Sequence, residues 1–253
     1  MSQTGYSPPA LQGGSLPVAA LAGRGAGRWR PGSASAVSGV LHSEIFGAGD
    51  EGGAAVVALA FALDEMRAAG MPSGDSPSDR RMILWVQDKT ARRLGGRPYR
   101  PGLPAPLRDR LIHVAAATAQ DALFALEEGL RCRDLACVIG EVAGNPKALD
   151  FTASRRLSLA AERHGVPLFL VRLDARRDLS SARMRWQVRS AASPPPRWNA
   201  AAPGSPTWQA ELFRARAFRQ GEWVLRDDGG FLSAEPFAGR TLRQARGGER
   251  KLG

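Results

Sequence analysis

Residues 47–54 have the residue types and spacing of a phosphate-binding loop from which the reactive groups are missing. A working loop reads G-x-x-x-x-G-K-[ST], in which the Lys contacts the β- and γ-phosphates of a nucleotide and the hydroxyl binds Mg²⁺. Gly47 and Gly52 keep the two glycines of that pattern, but Gly53 replaces the Lys and Ala54 replaces the hydroxyl residue. The sequence therefore predicts a loop of the right shape without the groups that bind and activate a nucleotide.

Two carboxylates inside this loop, Asp50 and Glu51, also argue against a bound nucleotide. The N-terminus of a helix attracts anions because of its free N–H groups and its dipole. We therefore expect these two side chains to occupy the phosphate site themselves, and we expect neither a nucleotide cofactor nor a metal. The alternative is that a glycine-rich stretch before an apolar helix is only a tight turn, and the loop alone supports both interpretations equally.

The composition limits the class of protein. The 253 residues, 43% of them hydrophobic, suffice for one substantial core. No uncharged apolar stretch is long enough to span a bilayer and no secretory signal is apparent, so the sequence predicts a cytoplasmic protein without membrane contact. The cysteines and histidines show no metal-ligand spacing, which predicts no metal site; they are Cys132, Cys137, His42, His113 and His164.

The chain carries a formal net charge of +11, which by itself favours a polyanionic partner such as DNA or RNA. Its basic residues are nearly all Arg, since the only lysines are Lys89, Lys147 and Lys251. Together with the abundance of Ala, Gly and Pro, this bias is typical of a GC-rich genome and weakens the inference. Direct contact with DNA therefore stays an open expectation.

Strands and helices are predicted to alternate through the middle of the chain. Helices are expected at residues 54–69, after Thr118 and at residues 152–164, and continuous apolar strands at residues 82–86, 111–115, 135–142 and 168–173. Such strands separated by helices predict an α/β fold with a mainly parallel sheet that is flanked by helices. We expect one domain at residues 39–235, between a disordered basic leader at 1–38 and a disordered basic tail at 236–253.

The last third of the chain predicts antiparallel strands at one edge of the sheet. Apolar and polar residues alternate at residues 184–189, as in a half-buried antiparallel strand, with Met184, Trp186 and Val188 inward and Arg185, Gln187 and Arg189 outward. Further on, Asp228 and Gly229 form a pair that is typical of a hairpin turn.

This order of loop, helices and strands resembles a RecA-like ATPase core, and more specifically the chain resembles the ImuA family of bacterial DNA-damage-response proteins. The resemblance covers roughly residues 41–232. It depends on an ordered series of segments, namely LHSEIFGAGDEGGAA, ILWVQDKTARRLGGRPYRPGL, DALFALEEGLRCRDLACVIGEV, LDFTASRRLSLAAERHGVPLFLVR, SARMRWQVRSAAS and the W-x-x-E-L-x-R tract from Trp208 to Arg214.

The resemblance implies that the ATPase site is degenerate at further positions. The Walker B acid would fall at Gly140 or Glu141, and the glutamate that positions the attacking water would follow ILWV, where Gln87 and Asp88 stand. Loss of these groups together with the Lys and the hydroxyl predicts that ATP is not hydrolysed. Asp88 and Glu141 could bind a metal, but carboxylates at strand ends more often cap helices or anchor loops, and we favour that role.

By resemblance, the chain is a non-catalytic accessory protein of SOS-induced error-prone translesion DNA synthesis, a DNA repair and mutagenesis function. Its implied partners are ImuB, an inactive Y-family polymerase homologue, and an error-prone C-family DNA polymerase, with RecA and DNA as further candidates. We expect the contacts in the leader, in the loop at residues 99–107, on a helix at Arg155 and Arg156, and in the tail. The basic tail residues are Arg240, Arg243, Arg246, Arg250 and Lys251.

Two other functions stay open from the sequence. The first is an ATP-binding RecA-like ATPase with an atypical loop, in which Lys147 replaces the missing Lys at the same edge of the sheet. The second is a nucleic-acid-binding module in which Arg155, Arg156 and the basic tail contact phosphates. The tail could equally be a solvated end without a partner.

Overall fold

The computed structural model describes residues 16–17, 41–68, 81–216, 220–227 and 232–237 of the chain. Helices and strands alternate there as predicted, with short 3-10 turns at Arg100–Gly102 and Ala105–Leu107. The helices are α1 Gly53–Ala68, α2 Lys89–Gly95, α3 Ala119–Arg131 and α4 Phe151–His164. The strands are β1 Leu16–Pro17, β2 His42–Gly47, β3 Met82–Gln87, β4 Leu111–Ala115, β5 Leu135–Ala143, β6 Leu168–Leu173, β7 Met184–Ser190, β8 Thr207–Ala215, β9 Gly221–Asp227 and β10 Leu232–Pro236.

All strands join one sheet in the order β1-β10-β9-β8-β7-β2-β6-β5-β3-β4. The six strands from β7 to β4 in this order run parallel to one another. The strands β8, β9, β10 and β1 extend the sheet by antiparallel pairing. The predicted fold class is therefore confirmed: a RecA-like α/β core with antiparallel strands at its C-terminal edge.

Helices cover the two faces of the parallel sheet. Helix α1 lies against β2, β6 and β7 on one face, while α3 and α4 pack on each other and on the opposite face. Each face buries its own apolar core, centred on residues such as Phe61 and Trp186 on the first face and Leu126 and Leu157 on the second. No helix among the described residues is long and apolar enough to cross a membrane.

Local signals in the sequence set the ends of the helices on the second face. Thr118 begins α3 through a capping box, in which its hydroxyl accepts from the Asp121 N–H and the Asp121 carboxylate accepts from the Thr118 N–H, both at 3.1 Å. Asp150 begins α4 by accepting from the Ala153 N–H at 2.7 Å. Gly165 ends α4 with φ 70°, a left-handed conformation that favours glycine.

The C-terminal edge differs from the prediction in two respects. Strand β7 pairs antiparallel with β8 but parallel with β2, so the expectation of a purely antiparallel strand was half right. Met184, Trp186 and Val188 are buried as expected, yet Arg185, which the alternation placed outward, is only 3% exposed. It is buried because it pairs with Glu44 of the neighbouring strand β2.

The two ends of the chain lie largely outside the described residues. Within the predicted leader, β1 pairs with β10. The predicted turn at Asp228 and Gly229 lies outside the described residues, although the flanking strands pair as a hairpin requires, with Asp227 opposite Leu232. The basic residues of the tail lie outside them as well, so the limits of the leader and the tail stay predictions.

A buried charge cluster links β2, β6 and β7, three adjacent strands of the parallel sheet. Glu44 Oε2 lies 2.6 Å from Arg185 Nε, and Glu44 Oε1 lies 3.7 Å from Arg172 Nη1. The Ser180 hydroxyl donates to Glu44 Oε1 at 2.8 Å, and Asp178 lies 3.5 Å from Arg172. Glu44, Arg172 and Arg185 are 0%, 1% and 3% exposed. One carboxylate therefore compensates two buried guanidinium groups, with help from a half-buried second one.

A chain of hydroxyl groups continues from this cluster to His42. Ser154 Oγ lies 2.9 Å from Ser180 Oγ and 3.1 Å from Ser181 Oγ, and Ser181 Oγ lies 2.6 Å from Ser158 Oγ. Ser158 Oγ in turn lies 2.7 Å from His42 Nδ1. Each hydroxyl thus has a partner on either side, which satisfies polar groups that are mostly buried between α4, β2 and the segment before β7.

Candidate functional site

The loop at residues 48–52 connects β2 to α1, at the edge where the parallel strands end. A strand, a loop and a helix follow one another here in the order that the predicted phosphate-binding loop requires. Gly47 is required by close packing, because a Cβ at this position would lie 2.6 Å from the Cβ of Ala54. None of the four loop glycines, Gly47, Gly49, Gly52 and Gly53, has a positive φ angle. Gly47 therefore permits close packing of the loop on the start of α1, whereas a Cβ at Gly52 would meet nothing within 4 Å.

The carboxylate that binds the loop is Asp174, the residue after β6. The Gly49 N–H donates to Asp174 Oδ1 at 2.8 Å, and a Cβ at Gly49 would lie 2.5 Å from Asp174 Oδ2 and 2.8 Å from Leu94 Cδ1. The Asp174 N–H donates to the carbonyl of Gly47 at 3.0 Å, with a φ of 50° at Asp174. One loop amide that could bind a phosphate is thus taken by a side chain of the same protein.

Asp50 and Glu51 do not occupy the loop as the sequence led us to expect. Asp50 is exposed. Glu51 points toward the end of β7, where its Oε2 accepts from the Ser190 N–H at 2.8 Å. The loop amide of Gly49 is bound instead by Asp174, which the sequence analysis did not name. The sequence offered one signal for Asp174, because it is an acidic residue directly after an apolar strand. That signal could not show that β6 lies beside β2.

The positions of the missing Lys and hydroxyl are closed by packing. Ala54 is 1% exposed. A Cβ at Gly53 would lie 3.2 Å from Ser190 Oγ of β7 and 3.5 Å from Trp208 Cδ1 of β8. A longer side chain at residue 53 would therefore meet β7 and β8. The loop carries no cationic side chain in the place where the motif has its Lys.

The Walker B and water-positioning region forms internal contacts. Gln87 lies opposite Glu141 and Val86 opposite Gly140 in the parallel pair β3–β5. Asp88 is the N-cap of α2: its Oδ1 accepts from the Ala91 N–H at 2.7 Å, and its Oδ2 accepts from the Ala143 N–H at 3.1 Å. The favoured role of Asp88 as a helix cap is confirmed by this contact.

Glu141 is 2% exposed and accepts a hydrogen bond from Trp85 Nε1 at 2.6 Å. Burial raises the pKa of this carboxyl, while the hydrogen bonds from Trp85 and Gln87 lower it. Gln87 also donates to the carbonyl of Gly96 at 2.8 Å and lies 2.9 Å from His113 Nε2. Glu141 therefore links β5 to β3 through Trp85. The sequence analysis missed this role because it treated residues 82–86 only as a buried apolar strand.

Gly140 is glycine for a packing reason. A Cβ there would lie 2.9 Å from both methyl groups of Leu126 and 3.0 Å from Leu170 Cδ1. Helix α3 can therefore approach β5 only because residue 140 has no side chain. Within the described part of the chain, no group of three or more His, Cys, Asp or Glu is placed to hold a metal ion.

A cleft of about 310 Å³ lies beside the loop, between α1 and the segment after α2. Most of its lining side chains are apolar, among them Val56, Leu59, Trp85, Tyr99 and Leu103. Among its lining residues, the charged ones are Glu51, Glu141 and Arg97. This balance of charges does not match a triphosphate with its Mg²⁺, which requires cations and Mg²⁺ ligands.

The other predicted contact residues lie apart from this cleft. Lys147 is exposed beyond β5 and is not among the residues that line the cleft. Arg156 lies 3.4 Å from Glu127 of α3, whereas Arg155 faces a different groove, on the side of β7 and β8. In the predicted contact loop, Tyr99 is 73% exposed.

Known relatives match the chain over most of its length. Protein ImuA of Caulobacter vibrioides, from strain NA1000 / CB15N and from strain ATCC 19089 / CIP 103742 / CB 15, is 31% identical to this chain over 211 residues. The match covers 77% of this chain and 78% of each relative. No protein-family model matches the chain.

Proposed function

This chain belongs to the ImuA family, and on that premise we propose that it is a non-catalytic accessory protein of SOS-induced error-prone translesion DNA synthesis. In this proposal it acts in the cytoplasm with an ImuB-type inactive Y-family polymerase homologue and an error-prone C-family DNA polymerase. RecA is a further proposed partner. The chain supplies a folded surface for assembly and performs no chemical step itself.

The proposal that the chain is not a catalyst is supported by the residues present in the loop and at the strand ends around it, and by the contacts that they make. Gly53 and Ala54 replace the Lys and the hydroxyl, and Asp174 binds the loop amide of Gly49. Asp88 caps a helix and Glu141 accepts from Trp85. Phosphoryl transfer depends on positioning and charge neutralisation by such groups. Here they are absent or hold the fold together.

The rival proposal of an atypical ATPase has less support. It requires Lys147 to replace the Lys of the loop, but Lys147 does not line the cleft beside that loop. Arg97 is the positively charged residue among the described residues that line the cleft. Glu51 and Glu141 line the same cleft. Two carboxylates beside one cation disfavour a nucleotide phosphate there.

We expect the purified protein to bind its ImuB-type partner with the same affinity in the presence and in the absence of Mg-ATP. The physical reason is that a loop without phosphate ligands cannot couple a nucleotide to a partner surface. Biolayer interferometry with immobilised partner measures both conditions directly. A Lys147→Ala variant serves as the control for the rival proposal and should bind as the unmodified protein does.

Two results would contradict the proposal in different ways. Absence of binding to the ImuB-type partner would remove the accessory role. Binding that requires Mg-ATP, and that the Lys147→Ala change abolishes, would instead favour the atypical ATPase.

A further inference from the structure

A second groove, remote from the loop, lies between α4 and the ends of β7 and β8. It has a volume of about 510 Å³. One wall is a single face of α4, in which Phe151, Arg155, Leu159 and Glu162 recur at helical spacing over ~16 Å. The other wall is formed by the segment before β7 and by the end of β8, with residues 180–183 and 214–216. This groove is separate from the cleft beside the loop, and Arg155 is the residue of it that the sequence analysis named as a contact.

The groove is strongly basic. Arg155, Arg214 and Arg216 are exposed and form no ion pair with a residue that the structure describes. Arg183 pairs with Glu162 across the groove. The next residue on α4 provides a contrast, because Arg156 lies outside the groove and pairs with Glu127. Three arginines on two facing walls are thus available to an incoming anion.

The same groove exposes large apolar side chains. Phe151 is 46% exposed and Leu159 is 51% exposed, although both belong to a helix whose other face is packed in the core. Between the walls lie the hydroxyl groups of Ser158 and Ser181, which end the hydroxyl chain from Glu44. Aromatic residues and Arg are enriched in protein–protein interfaces relative to the rest of the surface.

We propose that this groove binds an acidic segment of a partner protein that also inserts an apolar side chain. Its carboxylates pair with Arg155, Arg214 and Arg216, and its apolar side chain packs between Phe151 and Leu159. Guanidinium groups suit this role because they bind carboxylates in a bidentate manner. The inference rests on the proposed accessory function, since it assigns a surface to the contact with the ImuB-type partner.

The groove suits a protein segment better than a nucleic acid. A nucleic-acid strand is bound by cations that follow its phosphates and by aromatic rings that stack on successive bases. Among the described residues that line the groove, Phe151 is the one aromatic residue, and the central apolar residue, Leu159, cannot stack. An acidic segment with one apolar side chain satisfies both the charges and the apolar surface.

The test compares charge reversals on one helix. Arg155→Glu, Arg214→Glu and Leu159→Asp change the groove, while Arg156→Glu makes the same charge change one residue away and outside it. We expect each groove variant to raise the Kd for the ImuB-type partner at least about tenfold, and Arg156→Glu to change it less than about threefold. Binding is measured by biolayer interferometry, and unchanged melting curves show that each variant is folded.

A photo-crosslinker at position 159 identifies the occupant. Crosslinked partner peptides that contain several Asp or Glu residues support the inference, and peptides without them overturn it. Equal weakening by Arg155→Glu and Arg156→Glu would indicate only long-range charge and would overturn it too. If the groove variants instead lose binding to a single-stranded DNA oligonucleotide while partner binding is unchanged, the groove is a nucleic-acid site. Failure of the unmodified protein to bind the partner would contradict the accessory function itself.

Discussion

Replacing Glu44 with Gln is expected to lower the free energy of unfolding by about 3–5 kcal/mol. Glu44 is fully buried, and its carboxylate lies 2.6 Å from Arg185 and 3.7 Å from Arg172. Its amide replacement keeps the shape but leaves two buried guanidinium groups facing Asp178 alone, which is 37% exposed. Removing one partner of a buried ion pair costs more than the pair itself contributes. Urea unfolding followed by circular dichroism measures the change.

Glu162→Gln is the matched control for this prediction. Glu162 also pairs with an arginine, Arg183, but there the two side chains are 33% and 30% exposed. Solvent screens such a pair, so its loss should cost less than about 1 kcal/mol. If both changes had similarly small effects, the cluster around Glu44 would not stabilise the contact of β2 with β6 and β7.

The second large effect is a loss of stability in acid that depends on His42. Burial lowers the pKa of His42 from 6.5 to about 4, with the charge of Glu44 opposing this shift and the charge of Arg185 adding to it. Its Nδ1 lies 2.7 Å from Ser158 Oγ, and its Nε2 has no hydrogen-bond partner among the described residues. Charging this ring inside the fold is therefore unfavourable.

The sign follows from proton uptake. Between pH 6.5 and about pH 4, the unfolded chain binds a proton at His42 and the folded protein does not, so stability falls as the pH is lowered through this window. The full difference between these two pKa values corresponds to roughly 3 kcal/mol. We expect urea unfolding at a series of pH values to show this loss, relative to a His42→Gln variant in which it is absent.

The comparison with the variant isolates the histidine. Most carboxylates titrate alike in both proteins, and the groups that face His42 are Glu44, Glu162, Arg172 and Arg185. Parallel stability curves for the two proteins between pH 7 and pH 4 would show that His42 takes up its proton without cost. The hydroxyl chain would then have to rearrange to accept it.

Local signals in the sequence identified most of the parallel core. Apolar runs bounded by Gly, Pro and capping residues fixed the predicted elements to within one or two residues, as at Leu111–Ala115 and Phe151–His164, but they gave no bounds for β2 or α2. Alternation at residues 184–189 identified a strand, but the direction of its neighbours depends on chain connections that alternation does not encode. This is why β7 was predicted to be only antiparallel.

The side chains around the loop depended on contacts distant in sequence. Gly49 and Asp174 are 125 residues apart, and Arg185 and Glu44 are 141 apart. The partner of an acidic residue after a strand, or of an arginine in an alternating segment, cannot be predicted until the order of the strands in the sheet is known. Asp174 was therefore missed, and Arg185 was assigned to the solvent face. A role of Asp88 as a cap or a loop anchor was expected only from the usual role of carboxylates at strand ends, and the structure shows that its partner lies three residues away.

Calorimetric titration of the purified protein with Mg-ATP tests directly whether the loop binds a nucleotide. With Gly53 and Ala54 in the motif positions and Asp174 on the loop amide, we predict no saturable heat up to millimolar nucleotide. Saturable binding with one nucleotide per chain would contradict the account, because the loop would then bind phosphates without any of the groups assigned to that task. A nucleotide-dependent ImuA-type switch would have to replace the non-catalytic scaffold.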